Sequence, residues 1–270
     1  MEWKYILLGI FLMGGWLAEA QTFPDASVAS DFMSEVKSLD EFMARFNGTE
    51  SKPGIDKGED SRRNNLIGLF DYHINKDSLT REQFIGKVNR FLDSVLVNHV
   101  EFRIVGAGLY AECVCRMKYR GKGVRLTLVL RSEQYKAGLV RWAIVAARGL
   151  SDMGMMIADK YYAIGPAEHE VHFIGLQDYL NANPRHAFGY RGKDAKIDPL
   201  SVFLTMVRTG VLTFDIVEEQ TYHFFDVPGY VFSIREFNRR GDNSGWLISS
   251  FTEASVERKR LLLEKLLGNE

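Results

Sequence analysis

Apolar positions along the chain change period near residue 100. Upstream, Phe32, Val36, Leu39, Phe42, Met43 and Phe46 recur at helical spacing and predict a helix over 31–46, with Ser30 or Asp31 as its cap. The polar, glycine- and proline-containing stretch Asn47–Ser61 reads as a loop, and Asn65–Tyr72 as a short helix. Thr80 is placed to cap a further helix striped by Phe84, Val88, Phe91, Leu92, Val95 and Leu96.

Downstream the period falls to two. Val100–Val105 predicts one strand and Leu109–Arg120 the next, with Leu109, Ala111, Cys113, Cys115, Met117 and Tyr119 on one face. Arg120–Gly123 supplies a hairpin turn, after which Val124–Arg131 and Leu139–Arg148 complete a meander. The second half repeats this outline. A helix lies within His172–Pro184, and another begins with Asp198 as cap, Pro199 in its first turn and Gly210 at its end. Strands follow at Leu212–Glu218, Thr221–Asp226, Tyr230–Asn238 and Trp246–Phe251, with Asn238–Gly245 as a hairpin loop. Residues 254–270 form an amphipathic helix with Val256, Leu263, Leu266 and Leu267 inward, able to cover a sheet edge or mediate self-association. The fold class predicted is α+β, with helices packed on a curved antiparallel sheet. One domain is expected over 21–150, and a second α+β domain or extension over 151–270. No residue-level repeat accompanies the two similar halves.

The N-terminus changes the address. Lys4 precedes an apolar run, Tyr5–Leu17, and Ala18-Glu19-Ala20 forms a small-residue cleavage site. Residues 1–20 therefore read as a secretory signal peptide, with the mature chain starting at Gln21 and exported to a periplasm or the exterior. No later run approaches the ~18 apolar residues of a spanning helix, so no integral membrane segment is expected in the mature chain. Removing the leader takes Lys4 from 34 basic residues and Glu2 and Glu19 from 35 acidic ones, leaving 33 of each. A neutral chain argues against nucleic acid as a partner, because phosphate binding needs a basic footprint. An apolar content of 46% excludes wholesale disorder.

Cys113 and Cys115 are the chain's two cysteines and lie one residue apart on the apolar strand face. Strand neighbours i and i+2 sit ~6.5–7 Å apart with parallel Cβ vectors, at the edge of disulfide geometry. A zinc site needs two further ligands, and no second cysteine pair exists. Both are expected as small, buried, reduced core residues.

The helix–loop–helix lead followed by a long meander resembles the NTF2-like/cystatin-like α+β architecture. The stretches LDEFMARFNG (39–48), LYAECVCRMKYRGKGVRLTLVL (109–130), RWAIVAA (141–147) and GWLISSF (245–251) also resemble exported proteins of Bacteroidetes. The resemblance implies a fold and a compartment and carries no catalytic residues over. At about 250 mature residues the chain exceeds one such domain, ~100–150 residues.

Candidate chemistry is sparse. No G-x-S-x-G, P-loop or G-x-G-x-x-G occurs. His169 and His172 in EHEVH have the wrong spacing for a zinc-protease helix, and neither a metal nor a cofactor is expected. Asn47-Gly48-Thr49 is formally a glycosylation sequon. Asp71 and His73 lie near a helix end, where NTF2-like enzymes can place a proton-transfer group inside the helix–sheet cone; the plain alternative is a solvated turn capped by Asp71. Trp142, Tyr161 and Tyr162 are candidates to line a ligand groove. The reading is an exported, non-enzymatic binding or interaction protein whose partner is an unknown small molecule, glycan or protein. The alternative is a small-molecule enzyme of isomerase or dehydratase type, using a cone pocket with Asp71 and His73.

Overall fold

The structure, a computed structural model, describes residues 36–50, 59–73, 80–104, 108–136, 139–153, 180–182, 184–192, 194–239 and 243–268. Its frame is one six-stranded, open antiparallel sheet: β1 (Leu109–Tyr119), β2 (Lys122–Lys136), β3 (Leu139–Arg148), β4 (Leu212–Val227), β5 (Tyr230–Phe237) and β6 (Gly245–Glu253). The spatial order is β3-β2-β1-β4-β5-β6, so two three-stranded meanders meet along a β1–β4 seam. Strands from both sides of residue 150 thus share one sheet.

The helices are α1 (Leu39–Asn47), α2 (Glu59–Gly68), α3 (Arg81–Val97), α4 (Pro199–Arg208) and α5 (Val256–Leu267). Their ends follow local chemistry. Ser38 Oγ accepts from Glu41 N, and Gly48 closes α1 at φ 72°, a left-handed conformation that favours glycine. Thr80 and Gln83 form a reciprocal capping box on α3, and Asp198 accepts from Leu200 N and Ser201 N ahead of Pro199 on α4. No helix among the described residues is long and apolar enough to cross a membrane.

One sheet face carries nearly all of the aromatic core. Phe42 and Phe46 of α1, Leu66 of α2 and Phe91 and Leu92 of α3 pack on Phe224, Phe232, Ile234 and Ile248. Phe224 and Phe232 stack at 4.5 Å between ring centroids with planes 2° apart, and Phe70 meets Phe91 edge-on at 5.7 Å. Further along the same face, Phe203 and Met206 of α4 cover Cys113, Cys115, Met117, Leu126 and Leu128. Trp142 and Tyr222 pack against both clusters. On the opposite face, α5 buries Leu266 against Tyr110, Val129 and Ala146.

Several sequence expectations are corrected. The helix expected over 31–46 begins at Leu39, because Val36 forms a parallel bridge with Gly245 and accepts from Trp246 N; the predicted caps, Ser30 and Asp31, lie outside the described residues. The short helix at Asn65–Tyr72 ends at Gly68 and begins at Glu59, since Phe70 bridges to Ile248. Residues 100–104, expected as a strand, are irregular. Side chains take the backbone groups a ladder would use: Arg62 Nη2 donates to the Val100 carbonyl, Asn47 bonds both N–H and C=O of Phe102, and Ser132 Oγ donates to the Ile104 carbonyl. The same clamp occupies the side-chain amide of the Asn47 sequon at 2.7 and 2.8 Å. β4 is one strand where two were expected. Glu218 and Asp215 are bulged against β1, which breaks the apolar alternation without ending the ladder. Val256, expected inward, is 87% exposed in the first turn of α5. Residues 180–182 are helical, within the stretch where the sequence predicts a helix.

Both cysteines are free and buried. Burial pushes the Cys113 thiol up, and burial chiefly, with Cys113 and Glu218 adding, pushes Cys115 up to about 11. Thiolate is the reactive form, so alkylation of both residues in the native protein should be slow at neutral pH and become fast in denaturant. Rapid labelling of the native protein would contradict this packing.

Candidate functional site

Alternation along the central strands sends Glu112 of β1, His223 of β4 and Ser233 of β5 to the face opposite the phenylalanine core. The register lines them up. Tyr110 pairs with His223, His223 with Ser233, and Ser233 with Ser250 of β6. Glu112 lies two residues beyond Tyr110 on the same face, diagonal to His223 and within side-chain reach. The result is a polar row across the strands: His223 Nδ1 lies 2.8 Å from Ser233 Oγ, and His223 Nε2 lies 2.9 Å from Glu112 Oε2. Arg148 of β3 reaches across β2 and ion-pairs with Glu112 Oε1.

The hydrogen bond from His223, and then the Arg148 charge, hold the Glu112 carboxyl below its ordinary value of 4.5, against the opposing effect of burial. An ionised Glu112 can only accept, so His223 Nε2 is the donor between them. In the neutral imidazole this arrangement turns the Nδ1 lone pair toward the Ser233 hydroxyl.

Helix α5 roofs this row and is fastened at both ends. Lys259 Nζ donates to the Phe225 and Val227 carbonyls at 2.6 and 2.5 Å, and burial lowers its pKa. At the far end Arg148 Nη1 donates to the Lys265 carbonyl at 3.4 Å. Gly268 ends the helix at φ 74°, and a Cβ there would meet the Arg148 side chain at 3.2 Å. Between helix and sheet lies an open cleft of about 380 Å³. Glu112, Arg148, His223, Ser233, Ser250 and Lys265 give it a polar side, and Phe225, Val231, Leu262 and Leu266 an apolar one.

The residues singled out from sequence lie elsewhere. Asp71 and His73 are brought together, with His73 Nδ1 3.4 Å from Asp71 Oδ1, Asp71 buried and His73 exposed. Arg239 holds both: Nη2 donates to Asp71 Oδ1 at 2.5 Å and Nη1 to His73 Nδ1 at 2.9 Å. Asn243 donates to the Phe70 carbonyl and accepts from Tyr72 N, so the group ties the end of the α2 segment to the β5–β6 connection. Neither Asp71 nor His73 lines the cleft under α5. Trp142 is half-buried, its ring 5.8 Å from that of Tyr222. Tyr161, Tyr162, His169 and His172 lie outside the described residues. Among the described residues no three His, Cys, Asp or Glu side chains converge as a metal set.

Sequence reasoning passed over Glu112, Arg148, His223 and Ser233. The one signal available was Ser233, a small polar residue inside the apolar run YVFSI. The strand register that joins it to His223 and Glu112 is not written locally.

No protein-family model, curated protein or solved structure matches the chain.

Glu112→Gln tests the electrostatics of the row. A carboxyl with a lowered folded pKa contributes stability that is present above its unfolded value and lost as pH falls through the folded one. The variant should lose about 1–3 kcal/mol in urea unfolding at neutral pH, since Arg148 and His223 lose a charged partner. The deficit should shrink in acid. Equal stability of variant and wild type at neutral pH would contradict the assignment.

Proposed function

We propose that the protein is an exported small-molecule binding protein of NTF2-like character whose ligand occupies the cleft between the sheet and α5. The observation that carries the reading is the Glu112–His223–Ser233 row opening on a cleft of about 380 Å³. That volume falls within the range of small-molecule sites, and the lining has the required mixture of apolar wall and a few convergent polar groups. An amphiphile fits this division, with its polar head on Ser233, Ser250 and Lys265 and its apolar part against Phe225, Val231 and Leu262. The leader-like N-terminus supports export.

Helices α1–α3 on one face of an antiparallel sheet support the NTF2-like element of the reading. Where such a cone would hold a ligand, this chain has Phe42, Phe46, Phe91, Phe224 and Phe232 packed together. The ligand is therefore assigned to the opposite face. An enzymatic reading is favoured by the Ser233–His223 contact. The Asp71–His73 pair offers it less, because Arg239 holds that carboxylate as a structural ion pair.

The test uses 8-anilinonaphthalene-1-sulfonate, an anionic amphiphile, as the probe. The wild-type protein should give saturable, blue-shifted fluorescence. Ser250 is exposed at the cleft wall, so Ser250→Trp should fill the cleft and leave the fold intact. Binding should weaken at least ~10-fold, about 1.4 kcal/mol, with circular dichroism unchanged. Unchanged binding by Ser250→Trp, or no saturable binding by wild type, would refute the site.

A further inference from the structure

The cleft contains more hydrogen-bonding order than a binding site requires. A serine hydroxyl, an imidazole and a carboxylate stand in series, at 2.8 and 2.9 Å, on three adjacent strands of a rigid sheet. That is the nucleophile–base–orienter arrangement, recognised by geometry and roles and independent of sequence order. We infer that Ser233 is a nucleophile for acyl transfer, with His223 Nδ1 as its general base and Glu112 fixing the imidazole through Nε2. The substrate class is an ester with a short apolar acyl group, carried in the cleft proposed above.

Three observations support the assignment. Ser233 is 8% exposed and lines the cleft, and its hydroxyl lies 2.8 Å from His223 Nδ1. The carboxylate lies on the nitrogen opposite the serine, so in the neutral imidazole it selects the tautomer whose serine-facing nitrogen can take a proton. Glu112 is itself held by Arg148, which is fastened to the Lys265 carbonyl of α5, so the orienting group is tied to both walls of the cleft.

The chemistry balances with water as the sole co-reactant. Ser233 Oγ attacks the ester carbonyl carbon, and its proton passes to His223 Nδ1. The negative oxygen of the tetrahedral intermediate develops among donors that line the same cleft, the Ser250 hydroxyl and the Lys265 ammonium. The intermediate collapses as the bond to the alcohol oxygen breaks, and Nδ1–H returns the proton to that leaving oxygen. Water then adds to the acyl-serine and gives a proton to Nδ1. The Ser233–acyl bond breaks, Nδ1 reprotonates Oγ, and the carboxylic acid leaves. The net change is ester plus water to acid plus alcohol, with no oxidation or reduction.

The experiment treats the full chain with an alkyl fluorophosphonate, followed by intact mass and peptide mapping, and follows hydrolysis of p-nitrophenyl butyrate. The expected result is one adduct, on the peptide containing Ser233, absent from urea-unfolded protein. Hydrolysis should be lost in Ser233→Ala and fall at least ~100-fold in His223→Gln, the scale of a general base. Mapping of the wild type decides the matter even where a variant does not fold. An absent adduct, an adduct on another residue, or hydrolysis that survives Ser233→Ala would overturn the inference. Saturable 8-anilinonaphthalene-1-sulfonate binding without labelling would leave the binding site standing and end the acyl-transfer proposal alone. Absence of both would end both.

Discussion

The antiparallel seam between β1 and β4 is the contact on which the rest of the structure depends. It joins two meanders that otherwise share no strand neighbour, and it runs the length of β1, from Leu109 opposite Phe224 to Tyr119 opposite Leu212. A one-residue slip in such a ladder exchanges the two faces of a strand. Here it would turn Cys113 and Met117 out of the core and Glu112 into it, so register and burial enforce each other. β4 adapts to this register with bulges at Glu218 and Asp215 and stays continuous over sixteen residues.

The seam also separates two chemistries. On one face, phenylalanines from α1, α3, β4 and β5 interlock in stacked and edge-on pairs. On the other, β1, β4 and β5 present Glu112, His223 and Ser233, and α5 roofs them with only Leu266 fully inserted. A helix held by Lys259 at one end and by Arg148 at the other can span polar ground without collapsing on it. The cleft follows from that suspension. One face holds the aromatic core, and the opposite face carries the polar row.

Much of the frame was legible in the sequence because it is local. Thr80 with Gln83, Asp198 with Pro199, and Arg120-Gly121 at a hairpin whose backbone takes φ of 48° and 80° are short-range signals that the structure uses as written. The α+β class and the core placement of Cys113 and Cys115 followed from periodicity. The errors fall where distant side chains decide. Residues 100–104 lose a predicted strand because Arg62, Asn47 and Ser132 claim their backbone groups. Val36 leaves a predicted helix for a bridge to Gly245, more than two hundred residues away. The polar row was illegible for the same reason. Glu112, His223 and Ser233 are ordinary outward-facing strand residues until the register sets them side by side. Asp71 and His73, two residues apart in sequence and easily noticed, serve with Arg239 and Asn243 to fasten one loop to another.

The orientation of the His223 ring tests this account most directly. Proton-coupled 15N NMR of the histidine side chains at neutral pH, with His223→Gln to assign the resonance, reports which ring nitrogen carries the proton. A fixed Nε2–H tautomer is predicted, with an unprotonated, hydrogen-bonded Nδ1, because Glu112 accepts from one nitrogen and Ser233 donates to the other. An Nδ1–H tautomer, or rapid averaging between the two as in a solvated imidazole, would contradict the polar row and the chemistry built on it.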